Sequence, residues 1–413
     1  DAIVPDRPVY LIGRDGHMAL ANSEALRRAG IDRNTPDPKQ GHILHDAAGE
    51  PTGELNGKAV QRVIELIPPP SPAKLLKRFQ AIQDEAASYG VTSVQNLGEL
   101  QGPELAVIVQ LLETQGLKLR IYSVATLRNS SDQQIQHYQE LKQKYAGPMF
   151  KFGGAKGILD GTIDASTAFM LEPLTNGQAG LSYWDSNELN VAVARFDAAG
   201  FQVMLHAVGD AAIKQAIDAF ANASQVNGAA GRRYRIEHLD IPSARDLERM
   251  KTLGVIASSQ PNFAYPDATN LGNYALLLGP ERMQRAQAYR SIDDAGLVQA
   301  FASDFPVSSM NVLIALHTAL TRQNLQREPP GGWYPQQRIG IEAALRHFTI
   351  DGAYASFDEQ IKGSLTVGKL ADFLVVSRDI LTADKDPAIL LEARVLLTVM
   401  GGRVTFESPQ AGL

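Results

Sequence analysis

Phe201-Gln-Val-Met-Leu-His-Ala-Val-Gly-Asp210 is a short apolar run that ends in a histidine and then opens a helix. Phe201–His206 reads as a strand. Asp210 stands before Ile213, Ile217 and Phe220, whose spacings of four and three put them on one helical stripe. A strand that passes directly into a helix is one βα unit, and parallel sheets are built from such units. The same texture recurs on both sides. Val91–Val94, Leu119–Val124, part of Met149–Leu159, Tyr234–His238, Val255–Ser259 and Leu297–Ser303 bring the strand candidates to seven, each followed by a helical pattern. Ser71–Ser88 reads as a helix with Leu75, Leu76, Phe79, Ile82 and Ala86 on one stripe. Ser243-Ala-Arg-Asp246 is a capping-box pattern ahead of Leu247, Met250 and Leu253.

A closed parallel barrel takes eight strands. The first 70 residues hold hairpin patterns such as Ile43-Leu-His-Asp-Ala-Ala-Gly49 and no eighth candidate. The expected fold is therefore an α/β (β/α)8 TIM barrel over residues 1–362 that lacks its first strand, with 1–70 an excursion between that strand and the second. After the helix Ile341–Phe348, Gly368–Val376 and Ala393–Thr405 look like strands without helices, and Gly401-Gly402 makes a hairpin turn. Residues 363–413 are expected to be part of a small flanking β-sandwich module.

The 413 residues are 44% apolar and 20% charged, a globular composition, with a net charge of −6. That sign argues against nucleic-acid and anionic-membrane surfaces, which select basic faces. No apolar run reaches the eighteen or so residues of a transmembrane helix. The expected partner is a small-molecule substrate, with no nucleic acid and no membrane; a homo-oligomer stays open. So does the compartment, cytoplasmic or exported, of a soluble protein. There are no cysteines, which excludes disulfides, thiolate ligands and a cysteine nucleophile.

Reactive side chains of such barrels sit at the C-terminal ends of strands. Three candidate strands end at His206, His238 and Asp304, and a fourth carries Lys156 near its end. One histidine in such a place is usually a packed residue bonded to backbone. Four such residues on separate strands, converging on one mouth, point to a metal site. His137 reads as solvated, and His317 and His347 read as packed or surface residues inside helices. His17 lies in a loop-like Asp15-Gly-His motif and can reach a substrate.

Six motifs occur in register. They are Asp15-Gly-His-Met-Ala-Leu-Ala-Asn-Ser23, Lys156-Gly-Ile-Leu-Asp-Gly161, Leu205-His-Ala-Val-Gly-Asp210, Arg235-Ile-Glu-His238, Ala302-Ser-Asp-Phe-Pro-Val307 and Gly363-Ser-Leu-Thr-Val-Gly-Lys-Leu-Ala-Asp372. In this order they resemble, along the whole chain, the amidohydrolase-3 branch of the amidohydrolase superfamily, which includes N-substituted formamide deformylase. The resemblance implies that His206 and His238 bind metal and that Asp304 is both ligand and proton shuttle. It implies a carbamylated Lys156 bridging a second metal, and a β-sandwich home for the Gly363–Asp372 motif. The cofactor is then one or two divalent ions, zinc first. One departure is serious: the family's strand-1 His-x-His pair does not occur, and His42 and His45 have the wrong spacing. The expectation is that residues upstream of Asp1 carry it, with the first half of the β module. An unmodified lysine has three donors and no acceptor. Lys156 is therefore either carbamylated or an ordinary lysine paired with Asp160 or Asp164, and both stay open.

The expected activity is hydrolysis of an amide or other non-peptide C–N bond. Metal-activated water attacks, Asp304 carries its proton to the leaving amine, and His17 assists the developing oxyanion. The rivals are a non-catalytic degenerate barrel acting as sensor or scaffold, and a metal-dependent esterase or lactonase on the same site. The pocket is expected from residues 1–70 and the loop after Gln260-Pro-Asn-Phe-Ala-Tyr265.

Overall fold

The computed structural model describes residues 1–411 apart from 14, 15, 40, 129, 229 and 230. β1 (Tyr10–Ile12), β2 (Met18–Ala21), β3 (Gly41–His45) and β4 (Pro51–Gly57) pair antiparallel in the order β1-β2-β4-β3. The hairpin patterns thus become a four-stranded sheet, with Ile43 and Leu55 buried against Leu26 and Val60.

β5 (Ser93–Asn96), β6 (Arg120–Thr126), β7 (Phe150–Ile158), β8 (Gln202–Ala207), β9 (Arg235–His238), β10 (Ile256–Ser259) and β11 (Gln299–Phe301) follow in sequence order in one sheet. Every neighbouring pair is parallel. All seven expected strands are present, with bounds within two residues of those read from the sequence. The sheet is curled. Arg235 on β9 donates to the Gln95 side chain on β5, although four strand spacings of about 4.8 Å would separate them by roughly 19 Å in a flat sheet. The Tyr122 hydroxyl on β6 likewise reaches Gln202 Oε1 on β8 at 3.2 Å. β5 and β11 each have one neighbour. The fold is a parallel barrel without its first strand, as expected.

β12 (Phe373–Val376), β13 (Val395–Met400) and β14 (Arg403–Glu407) form a separate antiparallel sheet, with the Gly401-Gly402 hairpin where the sequence placed it. Its anchor is Asp372, which takes two hydrogen bonds of 2.7 and 2.8 Å from the Arg120 guanidinium on β6. Paired, bidentate geometry is the arrangement that makes a buried ion pair worthwhile. No helix among the described residues is long and apolar enough to cross a membrane.

Side chains alternate across a strand, and that decides what the lumen holds. On β8, Val203, Leu205 and Ala207 join the helix-facing core, so Gln202, Met204 and His206 face inward. On β9, Ile236 faces the helices while Arg235 and Glu237 turn in. β7 changes phase partway. Phe150, Phe152 and then Ala155 and Leu159 all belong to the helix-facing core, which strict alternation forbids. The pairing shows why: Ser123 opposes Phe152 and Val124 opposes Gly154, so Gly153 is an extra residue. This bulge re-phases the strand and puts Lys156 in the lumen.

The inward Gly154 is tightly enclosed. A Cβ there would meet Val124 Cγ1 at 2.7 Å and Met204 Cε at 2.9 Å. Gly154→Ala should lower stability by about 1–3 kcal/mol through overpacking, read from the urea midpoint. An unchanged midpoint would refute this packing account.

Candidate metal centre and active site

All five residues expected at the site line one cavity: His17, Lys156, His206, His238 and Asp304. His206, 6% exposed, is next to last on β8. Its ring centroid lies 4.5 Å from that of His238, at 68°. His17, just before β2, has its ring 5.7 Å from His206. Alternation alone would send His238 to the helix side with Ile236. The chain instead turns left-handed at His238 (φ 76°) and Leu239 (φ 53°), and again at Asp304 (φ 55°). Such conformations cost a non-glycine residue about 1 kcal/mol or more. Here the first two close β9 and the third falls three residues past the end of β11, and both site residues face the cavity.

The rings are held from outside. His206 Nε2 faces the Gly161 carbonyl at 3.3 Å and Asp160 Oδ1 at 3.5 Å. Asp160 is fixed in turn by the Phe169, Val208 and Gly209 amides at 2.9, 3.1 and 2.8 Å. His238 Nδ1 faces Gln260 Oε1 at 3.0 Å. Oxygen acceptors assign the ring protons to those nitrogens, leaving His206 Nδ1 and His238 Nε2 as lone-pair donors. Burial, and then the Lys156 charge, hold His238 down to about 3. Burial and the neighbouring His238 hold His206 well below its ordinary range. Both are neutral, the form a metal takes. Burial pushes the Asp304 carboxyl up to about 6, against the opposing pull of Lys156.

Lys156 departs from one of its two open readings. Among the described residues no ion pair joins it to Asp160 or Asp164. Burial lowers its ammonium, and the charges of Glu237 and Asp304 offset that fall only in part. Asp160 is occupied with His206 and three backbone amides instead.

Several residues of the site were not singled out from sequence. Arg235 and Glu237 pair in the lumen at 2.9 Å; their spacing of two on a strand was the available signal. Asp240 falls in a loop after a strand, where no periodicity marks it, and the sequence marks Asp160 and Gln260 only as a lysine partner and a loop start, not as partners of the two histidines. Phe263 stacks on His238 at 5.9 Å and 8°. The segment before β5 contributes Gly13, His17 and Met18 to the cavity, and the loop after β10 contributes Asn262, Phe263 and Asp267. Asp15 lies outside the described residues. The other histidines behave as expected: His137 is exposed, and His347 is packed between Asp293 and Asp351 at 3.0 and 2.8 Å. His317 is buried within its helix.

The donors fit a divalent cation in kind: two neutral imidazoles with their second nitrogens held, beside a carboxylate. Among the described residues no group of three His, Asp or Glu side chains stands close enough to hold one. The cavity is about 2090 Å³, above the 300–1,000 Å³ or so of most ligand pockets. It continues from the mouth into the seam beside β5, where Phe79, Val94 and Leu374 line it.

The fold and site belong to a class that comparison defines. The amidohydrolase family model matches residues 1–406, and the chain belongs to that family, in the branch its motifs indicated. It is 32% identical over 423 residues to Protein LONG AFTER FAR-RED 3 of Arabidopsis thaliana, covering 98% of this chain and 70% of the relative. It is 24% identical over 425 residues to N-substituted formamide deformylase of Arthrobacter pascens, covering 98% and 75%. A crystal structure of a metal-dependent hydrolase from Pyrococcus furiosus superposes with a TM-score of 0.70 at 25% identity, covering 92% and 74%. Hydrolase is the class that this family defines.

The Asp304 shift predicts a pH effect. A carboxyl raised from about 3.9 unfolded to about 6 folded binds more protons when folded. Its stabilising share is complete below about pH 4 and lost as pH rises to 6 and beyond. In chelator-treated protein, Asp304→Asn should therefore gain on the native chain by up to about 2–3 kcal/mol between pH 4 and 7. Urea unfolding across that range measures it, and parallel curves would refute the burial account.

Proposed function

We propose that the protein hydrolyses an amide or another non-peptide C–N bond at a divalent metal centre, with zinc the first candidate. The observation that carries this reading is the convergence of neutral, oriented His206 and His238 with Asp304 and Lys156 in one cavity. Kinship to the amidohydrolase family and likeness to a formamide deformylase support it. In this reading residues 1–362 form the barrel, 1–70 its excursion, and 363–413 part of a β-sandwich.

His206, His238 and Asp304 would hold the ion, and a carbamylated Lys156 would supply an anionic oxygen toward a second. A bound divalent ion supplies Lewis acidity for a carbonyl and lowers the pKa of water. The residues provide the rest. Asp304 takes a proton from the attacking water and delivers it to the leaving nitrogen as the C–N bond breaks. Water's oxygen ends on the acyl carbon and its proton on the amine. His17 stands across from His206 and donates to the substrate oxygen as negative charge builds. Asp160 and Gln260 keep both metal-binding rings in one tautomer.

Zinc-loaded protein assayed against N-acyl, N-formyl and ester compounds should show hydrolysis that chelation abolishes and zinc restores. No metal-dependent hydrolysis across the panel would overturn the reading. Asp304→Asn should lower kcat by more than the 10²–10⁴-fold or so ascribed to general acid–base catalysis, with a cooperative thermal melt retained. Near-normal turnover would rule out its role. For Lys156, metal analysis in bicarbonate should find two ions per native chain and one in Lys156→Ala. One ion in the native chain, without a bicarbonate effect, would make Lys156 structural and the centre mononuclear.

A further inference from the structure

His347 is a buried histidine outside the cavity whose two ring nitrogens both face carboxylates. It lies on the helix Ile341–Phe348, with its side chain 6% exposed. Nδ1 stands 2.8 Å from Asp351 Oδ2, on the helix Ile350–Tyr354. Nε2 stands 3.0 Å from Asp293 Oδ1, on the helix Tyr289–Asp294. An ionised carboxylate only accepts hydrogen bonds, so each nitrogen must donate, and only the doubly protonated imidazolium can do that. The carboxylates are held on their other sides as well. Arg346 donates to Asp351 Oδ1 at 3.2 Å, and Gln299 Nε2 on β11 donates to Asp293 Oδ1 at 3.0 Å. Phe301, also on β11, lays its ring 4.9 Å from the imidazole at 69°. β11 thus brings no charge, and among the described residues the charged groups around the ring are Asp293, Asp351 and Arg346. Burial works against the imidazolium, but Asp293 and then Asp351 outweigh it, and the net shift is upward.

The cluster sits against a strand that matters. β11 pairs only with β10, the helices Ile341–Phe348 and Ile350–Tyr354 pack on it, and Asp304 follows its last residue by three. We propose that His347 is a proton-operated latch, which as an imidazolium clamps three helices onto β11 and lets go of them as pH rises. A neutral imidazole has one N–H for two carboxylates. Its other nitrogen then opposes a carboxylate, lone pair against lone pair, in a place that water barely reaches, and parting the helices relieves the contact. A group whose pKa is raised on folding adds stability in full below its unfolded value of about 6.5, and that share is lost as pH climbs through the folded value. The loosening is therefore an alkaline event, and it falls on the strand that leads to Asp304.

The test needs neither metal nor substrate. The His347 ring signal, assigned by its loss in His347→Gln, is titrated by NMR in native protein. Amide exchange is followed at pH 6 and pH 9 in segments 289–301 and 341–354. The midpoint should lie above the ordinary value of about 6.5, and protection in both segments should fall about tenfold for each unit by which it does so. Protection in the remote helix Pro72–Ser88 serves as the reference. Asp293→Asn and Asp351→Asn each keep an oxygen for Gln299 or Arg346 and turn an N–H toward a neutral His347. Either variant should fold, lower the midpoint and flatten the pH response of the two segments. A midpoint at or below the ordinary value, protection in native protein that ignores pH, or an equal response in a folded variant would overturn the latch.

Discussion

Arg235 and Glu237 leave β9 on the same face and meet inside the lumen, with side chains 3% and 2% exposed. Removing two charges from water costs several kcal/mol per ion, and such a pair holds only where neighbours complete its hydrogen bonds. Gln95 from β5 and Ser258 from β10 accept further hydrogen bonds from the guanidinium here. The guanidinium thereby ties strands on opposite walls of a barrel whose sheet is open on one side. Burial pushes the Glu237 carboxyl up, but Arg235 and then Lys156 outweigh it, and the net shift is down. Glu237 stays ionised as a fixed negative charge beneath the mouth, and it opposes the fall of the Lys156 ammonium and the His238 imidazolium. Truncating either partner would strand the other charge in the lumen. The curl of the sheet and the electrostatics of the site share this one contact.

Period-two and period-3.6 patterns made most of the frame legible. Seven strands, the hairpin sheet at the N-terminus and the Gly401-Gly402 turn were all readable because each is a local, repeated signal. The strand-end residues were readable for the same reason: once strands end at His206 and His238, a parallel barrel brings them to one mouth. The Gly153 bulge was less legible. Counting by twos from Phe150 and Phe152 puts Lys156 among the helix-facing residues, and only the glycine pair in mid-strand hints at a change of phase. His238 poses the mirror problem, since its inward placement depends on a left-handed turn that no pattern announces. Glu237 and Asp240, and the place of Asp160 beside His206, escaped because their roles are set by what crosses the lumen or caps a loop. Such contacts join residues far apart in the chain, and sequence periodicity does not record them.

Burial at the mouth acts oppositely on its two kinds of titratable group. It strips protons from His206 and His238, leaving imidazoles with lone pairs, and it pushes Asp304 toward holding one. Under the proposed reading, a cation entering there would meet imidazoles already in the ligating form. The outer contacts make this arrangement durable. Gly161, Asp160 and Gln260 each occupy a ring nitrogen, so neither imidazole can satisfy its lone pair by flipping without giving up a buried hydrogen bond. The shape of the site is thus held by contacts behind the two rings, in the strands and loops that carry them.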